Sequence, residues 1–106
     1  MEEKKLIYCV DDEESIREVY SFALTGAGFR TECFPDGKSL FAATEKELPD
    51  LFILDIMLDG LDGYAILAEL KEDPSTAEIP VIMVSAKDTE IDKVKGLNLG
   101  ADDYMA

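Results

Sequence analysis

The sequence predicts an α/β domain built on a parallel sheet, and three observations carry that prediction. The chain has 106 residues, 47% of them apolar, which suits one small domain with a single core. Short unbroken apolar runs rich in β-branched residues alternate with segments whose apolar residues recur every three or four positions. The connections are short, and strand–helix alternation of this kind builds βαβ units with right-handed crossovers. For five such units the common solution is the doubly wound, flavodoxin-like strand order 2-1-3-4-5.

Each element has its own signal. Leu6-Ile7-Tyr8-Cys9-Val10 reads as a strand buried on both faces. Ile16, Val19, Tyr20, Ala23, Leu24 and Ala27 form one helical stripe, which Gly28 stops. Arg30 to Phe34 is a weaker strand nearer an edge. A second helix runs from Gly37 to Lys46, with Leu40, Phe41 and Ala43 inward and Pro49 after it. Leu51 to Leu54 is the third strand. The third helix opens at Asp62-Gly63, is marked by Tyr64, Ile66, Leu67 and Leu70, and leaves through Asp73-Pro74-Ser75. Val81 to Val84 is the fourth strand, and Thr89 to Asn98 a fourth helix with Ile91, Val94 and Leu97 inward. Asp103 to Ala106 begins a fifth strand that is incomplete, and a fifth helix is missing. The whole chain, 1–106, is one domain without linker or repeat.

Composition excludes several functions. Twenty-four acidic against ten basic residues give a net charge of −14, so the surface is unsuited to phosphate backbones or anionic membranes. Histidine is absent, which removes Ser-His-Asp and Cys-His catalysis and histidine-ligated metals. The two cysteines, Cys9 and Cys33, lack CxxC spacing, so neither a zinc site nor a redox pair is indicated. No apolar stretch reaches the ~20 residues of a membrane span. The absence of a signal peptide and the few cysteines point to the cytoplasm.

In a doubly wound sheet, ligands sit beyond the carboxyl ends of the strands where the order reverses, here between strands 1 and 3. Strand 1 ends in Asp11-Asp12-Glu13-Glu14, strand 3 in Asp55 and strand 4 in Ser85. Asp11, Asp12 and Asp55 would converge and repel one another unless a hard divalent cation neutralised them. An oxygen-only donor set suits Mg²⁺. Asp55, at the end of a rigid strand, is then a credible nucleophile toward phosphorus, and Ser85 a hydrogen-bond donor to the phosphoryl group. The bland reading makes Asp11-Asp12 a helix cap, with Glu13-Glu14 in the first helical turn. Ser85 alone would be an ordinary turn residue. That reading weakens because all three features fall on strand ends that meet at the reversal.

Four stretches together resemble the receiver domain of two-component response regulators, the fold of the chemotaxis regulators. They are Asp11-Asp12-Glu13, Leu54-Asp55-Ile56-Met57-Leu58 followed by Asp62-Gly63, Val84-Ser85-Ala86, and Gly100-Ala101-Asp102-Asp103-Tyr104. The residues from Lys87 to Tyr104 are most similar to receivers of winged-helix transcriptional regulators. The resemblance implies a set of roles. Asp55 is the phosphoacceptor. Asp12 binds Mg²⁺ directly, Asp11 through water, and Met57 through its backbone carbonyl. Ser85 and Tyr104 form the switch. The donor is a sensor histidine kinase, and DNA is reached only through an output domain absent from this chain. A local charge change of this kind biases a two-state element.

The chain also departs from that family. It stops one residue short of the invariant strand 5 Lys, which puts the phosphorylated-state hydrogen bonds in question. Asp59 stands where the family usually has Pro. Losing strand 5 and helix 5 is expected to bare the edge of strand 4 and part of the helix 1 stripe, and to drive self-association into a homodimer. A cut chain whose protein continues past Ala106 is the expected origin.

Two enzyme-like readings compete. A Mg²⁺-dependent phosphatase with an Asp nucleophile needs a second Asp two residues on, where this chain has Met57. The same apolar residue gives an attacking water no help, so slow loss of an aspartyl phosphate is expected. An FMN-binding protein of this fold needs a hydroxyl- and glycine-rich loop after strand 1, where Asp11 to Glu14 would repel the phosphate. A non-enzymatic alternative is an interaction module that self-associates without being phosphorylated.

Overall fold

The computed structural model describes residues 4–55, 63–84 and the backbone of 103–105. The strands are β1 (Leu6–Val10), β2 (Arg30–Phe34), β3 (Leu51–Asp55), β4 (Val81–Val84) and β5 (Asp103–Met105). The helices among the described residues are α1 (Glu14–Gly26), α2 (Gly37–Thr44) and α3 (Gly63–Glu72). The strands form one parallel sheet in the order β2-β1-β3-β4-β5, the expected doubly wound arrangement. The expected helix over 89–98 lies outside the described residues.

The core lies on one face of the sheet. Leu6, Tyr8 and Val10 of β1, Phe52 and Leu54 of β3, and Val81 and Met83 of β4 alternate toward it. Leu40 of α2 and Tyr64, Ile66, Leu67 and Leu70 of α3 close it, all buried as their spacing predicts. Fully burying an aliphatic or aromatic side chain of this size stabilises by about 1.5–3 kcal/mol, so this layer dominates the apolar contribution. Tyr8 stacks edge-on against Phe34, with ring centroids 5.1 Å apart, and its hydroxyl donates to the Glu47 carbonyl at 2.9 Å. The buried aromatic body thus keeps its polar end satisfied.

On the opposite face part of the helix 1 stripe was expected to be bare, and the exposure extends along the whole helix. The α1 stripe is not buried: no residue of α1 is, and Val19 and Phe22 are 62% and 85% exposed. Val19, Tyr20, Ala23 and Leu24 instead flank an open apolar groove of about 390 Å³ floored by Ile53, Ile82 and Val84. Only β1 is buried along its whole length; β3 and β4 alternate buried with half-buried residues. The reading of every central strand as buried on both faces therefore holds for β1 alone. Among the described residues α1 is the cover on this side, and it leaves Ile82 and Val84 at the groove. The expected bare edge at β4 is also corrected. β5 is incomplete, with three residues, yet it pairs with β4 from Ile82↔Asp103 to Val84↔Met105 and satisfies that edge.

Helix ends follow local chemistry. Asp36 caps α2 by accepting from the Ser39 N–H at 2.8 Å, and that bond holds its carboxyl below the usual range. α1 ends in a six-residue closure: Phe29 N–H donates to Leu24 O at 3.0 Å and Gly28 N–H to Thr25 O at 3.1 Å. The closure needs Gly28 at φ +100°, a region L side chains rarely adopt. Gly26, one residue before the cap, has an ordinary φ, and a Cβ on either glycine would meet no atom within 4 Å. Backbone alone therefore decides the two sites. Gly28→Ala is expected to cost about 1–2 kcal/mol, whereas Gly26→Ala gains about 0.5–1 kcal/mol. Urea midpoints of the two variants will move in opposite directions.

Candidate functional site

β1 and β3 lie side by side, with Val10 opposite Leu54 as the last registered pair. The next step along both strands brings Asp11 and Asp55 to the same end of the sheet, with Asp12 beside them. One carboxylate oxygen from each of the three lies within 4.8 Å of the other two. Asp11 is buried at 7% exposure, while Asp12 and Asp55 are half-buried. The site stands where the chain order reverses around β1, the position at which open α/β sheets receive ligands.

The loop after β1 is built around Asp11. Its N–H donates to Phe34 O at 3.1 Å, extending the β1–β2 ladder by one step. Its Oδ1 accepts from the Glu13 N–H at 2.9 Å, closing an Asx turn. The helix-cap reading of Asp11-Asp12 therefore fails. The residue at the N-cap of α1 is Glu13, and no side chain caps the helix. Asp11 holds the backbone entering α1 and also contributes a carboxylate oxygen to the cluster.

Burial is the largest influence on the Asp11 carboxyl and raises its pKa; the neighbouring Asp12 charge raises it further. The Glu13 N–H and Arg17 oppose this without cancelling it. Tyr20 of α1 is pushed up to about 12, first by burial, then by the field of Asp11, Cys9 and Asp55. The Arg17 guanidinium donates to the Asp11 carbonyl at 2.8 Å and brings a positive charge behind the cluster. Arg17 and Tyr20 were not singled out as site residues. Their signal was available: α1 begins three residues after Asp11, so positions one and two turns into it face back toward the strand end.

Three converging carboxylates, a buried one among them with raised pKa, fit a hard divalent cation bound through oxygen. Met57, Asp59, Ser85 and Lys87 lie outside the described residues. Tyr104 is placed by its backbone only, at the centre of β5 and opposite Met83.

With this geometry the chain matches the response regulator receiver domain over residues 7–106. Solved structures agree. The N-terminal domain of a response regulator receiver protein from Methanoculleus marisnigri JR1 is 32% identical, with TM-score 0.87 over 95% of this chain and 83% of that one. The phosphorylated cyanobacterial phytochrome response regulator RcpA is 28% identical, with TM-score 0.87 over 98% and 81%. The signal receiver domain of a signal transduction histidine kinase from Syntrophus aciditrophicus is 32% identical, with TM-score 0.85 over 94% and 76%. The chain belongs to the response regulator receiver domain family, a class of two-component signalling modules.

The raised Asp11 pKa has a definite sign. Protonated Asp11 favours the fold below its unfolded pKa of about 3.9, and that contribution is lost as pH rises through the higher folded value. At neutral pH without metal, ionised Asp11 is a cost. Asp11→Asn keeps an acceptor for the Glu13 N–H and removes the charge. It is expected to raise Tm at pH 7 in chelator, with the gain shrinking toward pH 4. Calorimetry across that pH range measures it, and lower stability at pH 7 would contradict the assignment.

Proposed function

We propose that this chain is a phosphoacceptor receiver of a two-component system, taking a phosphoryl group on Asp55 from a sensor histidine kinase with Mg²⁺ bound by Asp11, Asp12, Asp55 and the Met57 carbonyl. The observation that carries the reading is the convergence of three carboxylates at adjacent strand ends in a chain of this family. Phosphorylation of the relative RcpA supports it. A carboxylate oxygen of Asp55 forms a P–O bond as the P–N bond of phosphohistidine breaks. The electron pair stays on the imidazole nitrogen, which takes a proton from water. When bound, Mg²⁺ supplies neutralisation of the carboxylates and of the phosphoryl oxygens. Asp55 attacks from a strand end fixed by pairing on both sides, so little positioning freedom is lost on reaction.

Ser85 and Tyr104 are assigned as the switch, with Ser85 following the phosphoryl group and the β4–β5 end carrying the change to an output domain in the cytoplasm. Among the described residues no helix is long and apolar enough to cross a membrane. DNA, with the chain charge at −14, is reached through that output domain. Met57, two residues after the acceptor, leaves an attacking water unassisted, so the aspartyl phosphate outlasts seconds.

Incubation with a small acyl phosphate and Mg²⁺, followed by intact-mass measurement, tests the reading. One phosphoryl group is expected, lost in chelator and in Asp55→Ala. No gain under these conditions would overturn it.

A second reading rests on the apolar groove: an unphosphorylated module that forms a homodimer through this face. The groove, with Val19 and Phe22 exposed beside it, favours association, and the net charge opposes it. Screening shortens charge repulsion to about 10 Å at 0.1 M salt. Light-scattering mass is therefore expected to rise with concentration and with added salt, and Val19→Glu to keep the chain monomeric. A monomer at high concentration and high salt would dismiss this reading.

A further inference from the structure

We propose that Cys9 and Cys33 are an oxidisable dithiol that closes to an intrachain disulfide between β1 and β2 when the domain meets a peroxide. The two residues are 24 positions apart, a separation that matches no CxxC motif. The parallel register places them directly opposite each other, Cys9↔Cys33. Residues registered in this way point to the same face, here the α1 side: the Cys33 thiol donates to the Arg17 carbonyl at 3.5 Å. The neighbouring positions Tyr8 and Val10 turn to the core on the other side.

The geometry suits closure. Neighbouring strands lie about 4.8 Å apart, inside the roughly 4.4–6.8 Å between Cα atoms that a disulfide spans. The Cβ atoms must approach to about 3.8 Å, a movement on the order of 1 Å. β2 can make that movement because it is the sheet's edge strand, bound to β1 alone. The chain has only these two cysteines, so no other intrachain pairing competes.

Access is asymmetric. Cys33 is half-buried and meets the oxidant, while Cys9 is fully buried and waits behind it. Contact with the Cys9 thiol lowers the Cys33 pKa, with burial opposing and Arg17 assisting, while Cys9 is itself held as the thiol. The Cys33 thiolate attacks one peroxide oxygen, the O–O bond breaks, and hydroxide leaves; Cys33 becomes a sulfenic acid. The Cys9 sulfur then attacks the Cys33 sulfur, the S–O bond breaks, and water leaves with the Cys9 proton. Two thiols and one peroxide become one disulfide and two waters. The change takes the Cys33 donor from the Arg17 carbonyl, whose side chain holds Asp11 from behind.

The test is treatment of the folded chain with hydrogen peroxide, then unfolding in a maleimide and intact-mass measurement with peptide mapping. The expected product is monomeric, lighter by two hydrogen atoms, closed to maleimide and restored by a thiol reductant. Cys33→Ser is expected to leave Cys9 reduced and available to maleimide after unfolding. Cys9→Ser, with Cys9→Ala as the alternative should the hydroxyl disturb the core, is expected to stop at oxidised Cys33 without an intrachain link. Two free thiols after treatment, Cys33 carried to its sulfinic acid while Cys9 stays free, or crosslinks only between chains would each overturn the proposal.

Discussion

The constraint on which this structure turns is that a strand buried on both faces ends in an acidic cluster. β1 has no exposed residue from Leu6 to Val10, and its continuation delivers Asp11 into a buried position beside Asp12 and Asp55. Burial and like charge both oppose ionisation there. The fold meets this locally in two ways. The Asx turn binds one Asp11 oxygen to the Glu13 N–H, and Arg17 reaches back to the Asp11 carbonyl. Neither neutralises the cluster, and the raised Asp11 pKa records the remainder. Such an arrangement of carboxylates is compatible with a divalent cation bound through oxygen.

The two faces of the sheet divide the work. The face covered by α2 and α3 carries the interdigitated core, with eleven of the largest fully buried side chains drawn from that layer and from β1. Among the described residues α1 is the cover of the other face, which holds the groove. The active end is consequently anchored from one side. Strand positions facing α2 and α3 fix where Asp11 and Asp55 stand, while Cys9 and Cys33 lie on the α1 side.

Much of this was legible in the sequence, for identifiable reasons. Unbroken apolar runs located β1, β3 and β4, because central parallel strands need apolar side chains on both sides. The three-residue steps from Tyr64 to Leu67 to Leu70 and the four-residue step from Ile66 to Leu70 located α3 and its buried side together. Gly28 marked the end of α1 through backbone chemistry that needs no tertiary context, whereas the Asp36 cap of α2 emerged only in the structure. The exposure of the α1 stripe was expected only in part, because periodicity reports which side of a helix is apolar, not how much of it is covered. The cap reading of Asp11-Asp12 had to be weighed because an Asx turn and a helix cap use the same residue types, and only the position of the first helical residue separates them.

The cysteines expose the deeper limit. Motif reading searches for residues close in sequence, and a parallel sheet never joins such residues across neighbouring strands. Its crossovers separate partners by two dozen residues or more, with Cys9 and Cys33 at that separation and Asp11 and Asp55 at nearly twice it. The acid pair was found because both members stand at strand ends, where a topological rule says what must meet. Cys9 and Cys33 stand within their strands, where no rule substitutes for register. A slip of β2 by one residue would turn Cys33 to the other face and abolish the pair. Any chemistry these two thiols perform is thus a property of the β1–β2 alignment, which is itself held at the active end by the Asp11 N–H bond to Phe34 and at the other by the Arg30 N–H bond to Lys5.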